Sequence, residues 1–151
     1  MLANTKTDKL YDRDFSQWAE MTAQLLEEKR FDDIDLENLV EEVRALSRSD
    51  KREIRSRLIK LLSHLLKYNY QPQKRTDSWV STISEQRRQI LLIFEDSPSL
   101  RNYYDEFFNT CYEKARIEAA QETKLAIKIF PLVCPFDRHN VVYRSDYDII
   151  E

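Results

Sequence analysis

Glycine is absent from this chain of 151 residues, which also contains two cysteines and four prolines. Tight hairpin turns and phosphate-binding loops rely on glycine, because glycine takes positive φ angles and close backbone approaches at little steric cost. The sequence therefore excludes a Walker loop, a dinucleotide-binding fingerprint and a kinase-type loop, and it disfavours a β-rich fold. Cys111 and Cys134 are too few for a disulfide framework and form no Cys-x-x-Cys pair, so we expect two reduced thiols.

The chain also lacks long apolar runs and an excess of positive charge. No segment approaches the ~20 consecutive apolar residues of a membrane span, and the first residues lack the apolar core of a signal peptide. We therefore expect a soluble, cytoplasmic protein that does not bind a membrane. The formal net charge of −3 gives no general nucleic-acid footprint. A local basic patch around Lys74, Arg75, Trp79, Arg87 and Arg88 keeps nucleic-acid binding as a disfavoured alternative.

Apolar residues recur at the i, i+3, i+4, i+7 spacing of amphipathic helices over most of the chain. Asp50 and Glu53 form a capping-box pattern that would open a separate third helix, although one bent, continuous helix is an alternative. Ser97 followed by Pro98 predicts the N-cap of the fifth helix. The predicted helices cover about residues 12–29, 36–46, 50–70, 77–97 and 98–123.

These elements predict an all-α fold, most simply a single antiparallel helical bundle of about five helices with an irregular C-terminal arm. Residues 1–10 are polar and are expected to be loose, residues 11–125 would form the bundle, and residues 126–151 would form the arm. The arm contains two prolines and at most one helical turn, near residues 137–143. Its apolar side chains would either cover the bundle or dock on a partner.

Three polar side chains fall where the helical pattern places core. Gln86 lies in the middle of an apolar face, where an unpaired amide costs about 1–3 kcal/mol, so it must have a partner. Glu118 and Glu122 extend the apolar face of the fifth helix, where an unpaired carboxylate costs more or takes up a proton. Candidate partners are the cations of the third and fourth helices, namely His64, Lys60, Lys67, Arg75 and Arg87.

These groups define a predicted binding cluster, for which the sequence leaves several hypotheses open. The cluster would be a sealed structural layer, or the surface through which the protein binds a protein partner or a second copy of itself. Alternatively, the protein is a hydrolase or nuclease in which His64 is the general acid or base and Lys67, Arg75 and Arg87 hold an anion. No nucleophile is paired with His64, so the sequence leaves enzyme activity undecided. The predicted binding cluster consists of Lys67, Gln71, Arg75, Trp79, Gln86, Arg87 and Glu122.

A metal or a cofactor is not predicted. A metal site in a helical bundle usually needs Glu-x-x-His elements on facing helices, and the sequence contains none. His64 and His139 are the two histidines of the chain, and neither has such a partner.

Six stretches of the sequence carry a family resemblance. Two of them are SRLIKLLSHLLKYNYQP at 56–72 and SWVSTISEQRRQI at 78–90, in which the order H-L-L-K, Q-P, R, S-W and Q-R is specific. The others are YDRDFSQWAEMTAQLL, DLENLVEEV, EDSPSLR and AAQETKL. Over residues 11–135 the chain resembles a bacterial family, the domain of unknown function family number twenty-nine. The resemblance implies an all-α protein, and it implies little about function because the family's activity is not established.

The resemblance also marks individual positions. The chain departs from the common pattern at Tyr68, where Trp is frequent, at Arg44, where an acidic residue is common, and at Lys124, where glycine is common. The positive charge of Arg44 would weaken any acidic ligand cluster on the second helix, and Lys124 puts the end of the fifth helix in doubt. The positions that match the family pattern are Glu41, Glu42, Arg57, His64, Lys67, Gln71, Arg75, Ser78, Trp79, Gln86 and Arg87.

Overall fold

The computed structural model describes residues 10–150 of the chain, and the expectation about the loose residues 1–10 lies outside them except for Leu10. The prediction of an all-α helical bundle is confirmed, and no strand occurs among residues 10–150. Residues 10–13 are helical, and short 3₁₀ turns connect the longer elements. The α-helices are α1 (Phe15–Glu27), α2 (Leu36–Tyr70), α3 (Asp77–Asp96), α4 (Leu100–Thr123) and α5 (Arg138–Tyr143).

The chain divides into two compact units, Met1–Arg48 and Ser49–Glu151, which we call unit 1 and unit 2. The boundary falls inside the long helix α2, so each unit contains one part of that helix. The predicted organisation into a bundle over 11–125 and an arm over 126–151 concerns a different boundary and stays a prediction.

Unit 1 contains α1 and the first part of α2. Helix α1 is shorter than predicted because Asp14 leaves the helical region, with φ −148°, and its carboxylate accepts a hydrogen bond from the Gln17 N–H. Lys29 ends the helix with a φ of 58°. The Lys29 N–H donates to the Leu26 carbonyl and the Arg30 N–H donates to the Leu25 carbonyl, which is the bonding pattern of a Schellman motif.

Helix α2 is continuous over 35 residues, so the prediction of two separate helices is wrong, and the continuity given by its alternative is correct. Ser47, Ser49 and Asp50 lie inside the helix, and all three are exposed. Serine and aspartate have weak helix propensity, but the cost per residue is below about 1 kcal/mol. Three such residues therefore cost too little to break the helix.

Unit 2 contains the apolar core, and α2 is its organising element. Leu61, Leu62, Leu65 and Leu66 are all fully buried, so α2 packs on more than one side. The arm also contributes apolar side chains to this core. From the sequence alone, these side chains would either cover the bundle or dock on a partner. The other large buried core residues are Ile54, Leu58, Ile83, Ile90, Phe94, Leu100, Tyr104, Phe108, Tyr112, Phe130, Phe136, Val141, Val142 and Ile149.

The helix ends in unit 2 differ from the prediction at Ser97 and agree with it at Thr123. Ser97 is the C-cap of α3 rather than the N-cap of α4, and no side-chain hydrogen bond caps α4. The turn through Pro98 is tight enough to supply its own bonds, since the Leu100 N–H donates to the Ser97 carbonyl at 3.0 Å. Helix α4 ends at Thr123, and Lys124 follows with a left-handed φ of 60°. The helical turn predicted in the arm is present as α5, capped by Asp137.

Candidate functional site

Lys67 and Glu122 form the central contact of the predicted binding cluster. The spacing along α2 places Lys60, His64 and Lys67 on one stripe, and the Lys67 ammonium donates to Glu122 Oε2 on α4 at 2.5 Å. The same ammonium lies 5.5 Å from the centre of the Trp79 ring on α3. Lys67 is buried while Glu122 is exposed, so the pair joins the core of unit 2 to its surface.

The carboxylates of this group have opposite pKa shifts. The hydrogen bond from Lys67 lowers the pKa of Glu122 below its ordinary value. Burial, followed by the negative charge of Glu122, raises the pKa of Glu118. Glu118 thus lies next to the ion pair, but within residues 10–150 no cation is as close to Glu118 as Lys67 is to Glu122.

His64 is half-buried beside this pair. Its Nδ1 lies 2.8 Å from the Lys60 carbonyl, which can only accept, so Nδ1 carries the proton and Nε2 is left as an acceptor. Burial lowers the pKa of His64, and the positive charge of Lys67 lowers it further. A neutral imidazole of this kind fits the general base of the hydrolase hypothesis, but it also fits an ordinary helix surface, because the bond to the carbonyl four residues earlier is local.

Gln86 has the partner that its position on an apolar face requires. Arg57 Nη1 donates to Gln86 Oε1 at 3.2 Å, while Arg57 Nε donates to Glu53 at 2.9 Å. Arg57 was not among the cations that the sequence analysis proposed as partners. A signal was present, since Arg57 belongs to the same polar stripe of α2 as Lys60 and matches the family pattern.

Arg87 and Arg75 contact the C-terminal arm. Arg87 is buried on α3, and its guanidinium donates to the Val141 carbonyl at 2.8 Å and to the Asp146 carbonyl at 2.6 Å. Burial lowers its pKa. Arg75 donates to the Tyr68 carbonyl at 2.8 Å and lies 3.6 Å from the Asp148 carboxylate. Arg87 therefore links α3 to the arm, and Arg75 links the end of α2 to the arm.

The structure thus divides the predicted binding cluster into three groups. Lys67, Trp79 and Glu122 lie together, with His64 nearby. Gln86 belongs with Arg57 instead. Arg75 and Arg87 bind the arm, and the remaining member, Gln71, is buried at the end of α2. Across residues 10–150 no group of three or more His, Cys, Asp or Glu side chains is placed to hold a metal ion.

A second candidate site, which the sequence analysis did not propose, lies in unit 1. Leu36, Val40, Val43 and Leu46 follow one side of α2 at intervals of three or four residues, and each is between 41% and 70% exposed. We call these four residues the exposed stripe. Helical periodicity located them as apolar positions, but periodicity alone does not tell whether anything covers them. Further exposed apolar residues in unit 1 are Phe15, Met21, Leu26 and Phe31.

Comparisons with known proteins give one match. The family model described as "Domain of unknown function DUF29" matches residues 10–147 of the chain, in agreement with the resemblance found in the sequence. The search of curated proteins and the search of solved structures each found no match. Within residues 10–150, the helices are all too short or too polar to cross a membrane.

Proposed function

We propose that this protein, which belongs to the family of the domain of unknown function DUF29, acts by binding a protein partner. The observation that carries the proposal is the exposed stripe, Leu36, Val40, Val43 and Leu46, on α2. Apolar side chains that lie next to one another in water lose the stabilisation that burial would give them, at about 25 cal/mol per Å². Such contiguous patches usually mark interaction sites.

The small core of unit 1 supports the same conclusion. Among residues 10–48, Trp18 and Thr22 are the buried ones, and Trp18 packs edge-on against the Tyr11 ring at 4.8 Å. The same segment exposes eight large apolar side chains. A unit that exposes more large apolar side chains than it buries gains stability when a partner covers them.

Charge selects the kind of partner. Residues 10–48 carry 11 acidic and 5 basic side chains, and Glu37 and Glu41, next to the exposed stripe, are exposed themselves. Two of the basic residues are paired already, Arg48 with Glu41 and Arg30 with Glu28 and Asp33. An apolar stripe with an acidic surround complements an amphipathic helix whose polar face is basic.

The same charge argues against two other occupants. A second copy of the chain would bring two acidic surfaces together, and like charges across an interface oppose association. An anionic membrane surface would be repelled for the same reason. The partner we propose is therefore a basic amphipathic helix of another protein.

The predicted binding cluster is the competing location for a partner. Its buried members, Lys67, Gln71, Gln86 and Arg87, expose little surface to a second protein. Glu122 and Arg75 expose more, and His64 is half-buried. A partner that bound the cluster would therefore contact mainly its exposed members, whereas every side chain of the exposed stripe is accessible.

Photo-cross-linking in the native cells tests the proposal. A photoreactive amino acid replaces Val43, and the cross-linked peptides are identified by mass spectrometry. We expect a peptide from a basic amphipathic helix of another protein. The matched control places the same amino acid at Leu132, an exposed apolar position of unit 2. Cross-links to the chain itself, cross-links to acidic peptides, or a yield no higher than at Leu132 would contradict the proposal.

Paired variants then locate the surface. For this test the photoreactive amino acid replaces Val40 instead. Val43→Glu with Leu46→Glu should abolish its cross-link, while the circular dichroism spectrum stays unchanged. His64→Ala with Glu122→Ala alters the rim of the predicted binding cluster and should leave the cross-link intact. The reverse result would place the partner at the cluster and remove the exposed stripe from the proposal.

A further inference from the structure

A shallow cavity of about 430 Å³, open to solvent on the surface of unit 2, is lined mostly by residues whose side chains carry hydrogen-bond donors. It lies where α2 passes α3 and is independent of the exposed stripe. Its volume is within the range of small-molecule pockets, ~300–1,000 Å³, and its lining carries three cationic side chains and one carboxylate. The lining residues that matter are Arg52, Glu53, Ser56, Arg57, Lys60 and Gln86.

The positive charge of the cavity is not balanced by its own residues. Glu53, the one carboxylate of the lining, is occupied by Arg57 at 2.9 Å. Arg52 and Lys60 are both exposed, and neither is in an ion pair within residues 10–150. The charge of Lys60 acts on Glu118 without an ion pair between them, so the Arg52 and Lys60 side chains both remain available to a ligand.

The neutral side chains of the cavity provide hydrogen-bond donors for an anion. Gln86 is about nine-tenths buried, and its Oε1 is occupied by Arg57. The Nε2 group of the same amide is consequently the part of Gln86 that is available as a donor. Arg57 uses Nε for Glu53 and Nη1 for Gln86, which leaves Nη2. Ser56 adds an exposed hydroxyl.

We infer that this cavity binds an anion carrying two linked phosphate groups, either free pyrophosphate or the diphosphate of a small organic molecule. Arg52 and Lys60 are eight residues apart on one helix, which separates their backbones by about 12 Å along the axis. Both side chains line the cavity, which therefore offers positive charge at two separated points, and a ligand with charge at two points satisfies both. Arg57 lies between them along α2, and Arg57 and Gln86 would contact the linking region.

Isothermal titration calorimetry with pyrophosphate, inorganic phosphate and adenosine diphosphate tests the inference. We expect pyrophosphate to bind more tightly than inorganic phosphate, with an affinity that falls as salt is added. Arg52→Gln with Lys60→Gln should lower the affinity for pyrophosphate at least about tenfold, because charge-assisted hydrogen bonds are lost. Both positions are exposed, so the double variant should keep the native circular dichroism spectrum.

The control and the probes separate the outcomes. Lys128→Gln removes an exposed charge elsewhere in unit 2 and should leave the affinity unchanged. Tighter binding of adenosine diphosphate than of pyrophosphate would support an organic diphosphate, and equal binding would support the inorganic anion. No binding of either probe, an equal loss in Lys128→Gln, or binding of a single-stranded oligonucleotide alone would overturn the inference.

Discussion

Lys67 on α2 and Glu122 on α4 form an ion pair in which one partner is buried and the other lies in water. The two charged atoms are 2.5 Å apart, and the side chains are 6% and 45% exposed, respectively. The pair connects two helices through residues that are 55 positions apart in the sequence. The buried ammonium has its ion pair with this carboxylate, whereas the carboxylate would be solvated without the ammonium.

Removal of Glu122 should therefore destabilise the protein moderately. Glu122→Ala leaves the Lys67 ammonium buried without a counter-ion, but the exposed position lets water replace part of the lost interaction. We expect a loss of about 1–2 kcal/mol in the free energy of unfolding, below the ~3–5 kcal/mol of a fully buried pair. Urea denaturation measures the loss, and Glu113→Ala at an exposed position of α4 is the matched control. Equal losses in the two variants would show that the pair contributes nothing.

The same pair predicts a dependence of stability on pH. Because the pKa of Glu122 is lower in the folded protein than its ordinary value of 4.5, the carboxylate stabilises the fold fully above that value. The contribution disappears as the pH falls through the lower, folded-state pKa. The stability difference between the native chain and Glu122→Gln should therefore be constant near neutral pH and shrink below pH 4.5. A difference that stayed constant into acid would contradict the shift.

The titration of His64 should show the effect of its neighbours. Burial and Lys67 lower its pKa below 6.5, while Glu122 acts in the opposite direction. The imidazole signals in NMR spectra should titrate below pH 6.5, and Glu122→Gln should lower the midpoint further. Glu113→Gln should not change it. A midpoint that rose in Glu122→Gln would show that the carboxylate does not act on His64.

Gln86 and Gln89 provide a matched comparison on one helix. Gln86 is buried and accepts from Arg57, whereas Gln89 is half-buried and donates to Glu85. Gln86→Leu removes the acceptor of a cation, so it should cost about 1 kcal/mol more than Gln89→Leu. Thermal denaturation measures both. Equal melting temperatures would mean that the Gln86 amide is not part of a necessary contact.

Arg87 should be irreplaceable by lysine. Its guanidinium reaches two carbonyls of the arm from one planar group, and a single ammonium does not reproduce that fork. Arg87→Lys should lower the free energy of unfolding by about 2 kcal/mol. It should also increase hydrogen exchange in α5. Arg88→Lys, at an exposed position beside Glu85, should have almost no effect, and equal effects would remove the arm-fastening role.

Lys124 should gain from replacement by glycine. Its φ of 60° lies in the left-handed region, which costs a residue with a Cβ about 1–2 kcal/mol relative to glycine. Lys124→Gly should therefore raise the free energy of unfolding by about 1 kcal/mol. Lys128→Gly, where φ is not positive, should lower it slightly. A loss of stability in Lys124→Gly would show that the lysine side chain matters more than the backbone angle.

Much of the candidate site could be predicted from the sequence, because a polar residue at an apolar helix position must be paired. A glutamine in the middle of an apolar face had to be paired, and it is. The contact of Lys67 with Glu122 joins two residues that were both proposed for the cluster. The identity of the Gln86 partner was missed, because several cations share the polar side of α2 and periodicity does not give the distance from each of them to α3.

The sequence by itself determined the helical class, most helix ends and the candidate polar residues. Those features depend on local spacing, on proline and on the cost of burying polar groups, all of which act within a few residues. Tertiary structure decided which cations met which acceptors and which apolar stripe stayed in water. These outcomes depend on packing between segments far apart in the chain, which the local spacing of residues does not determine.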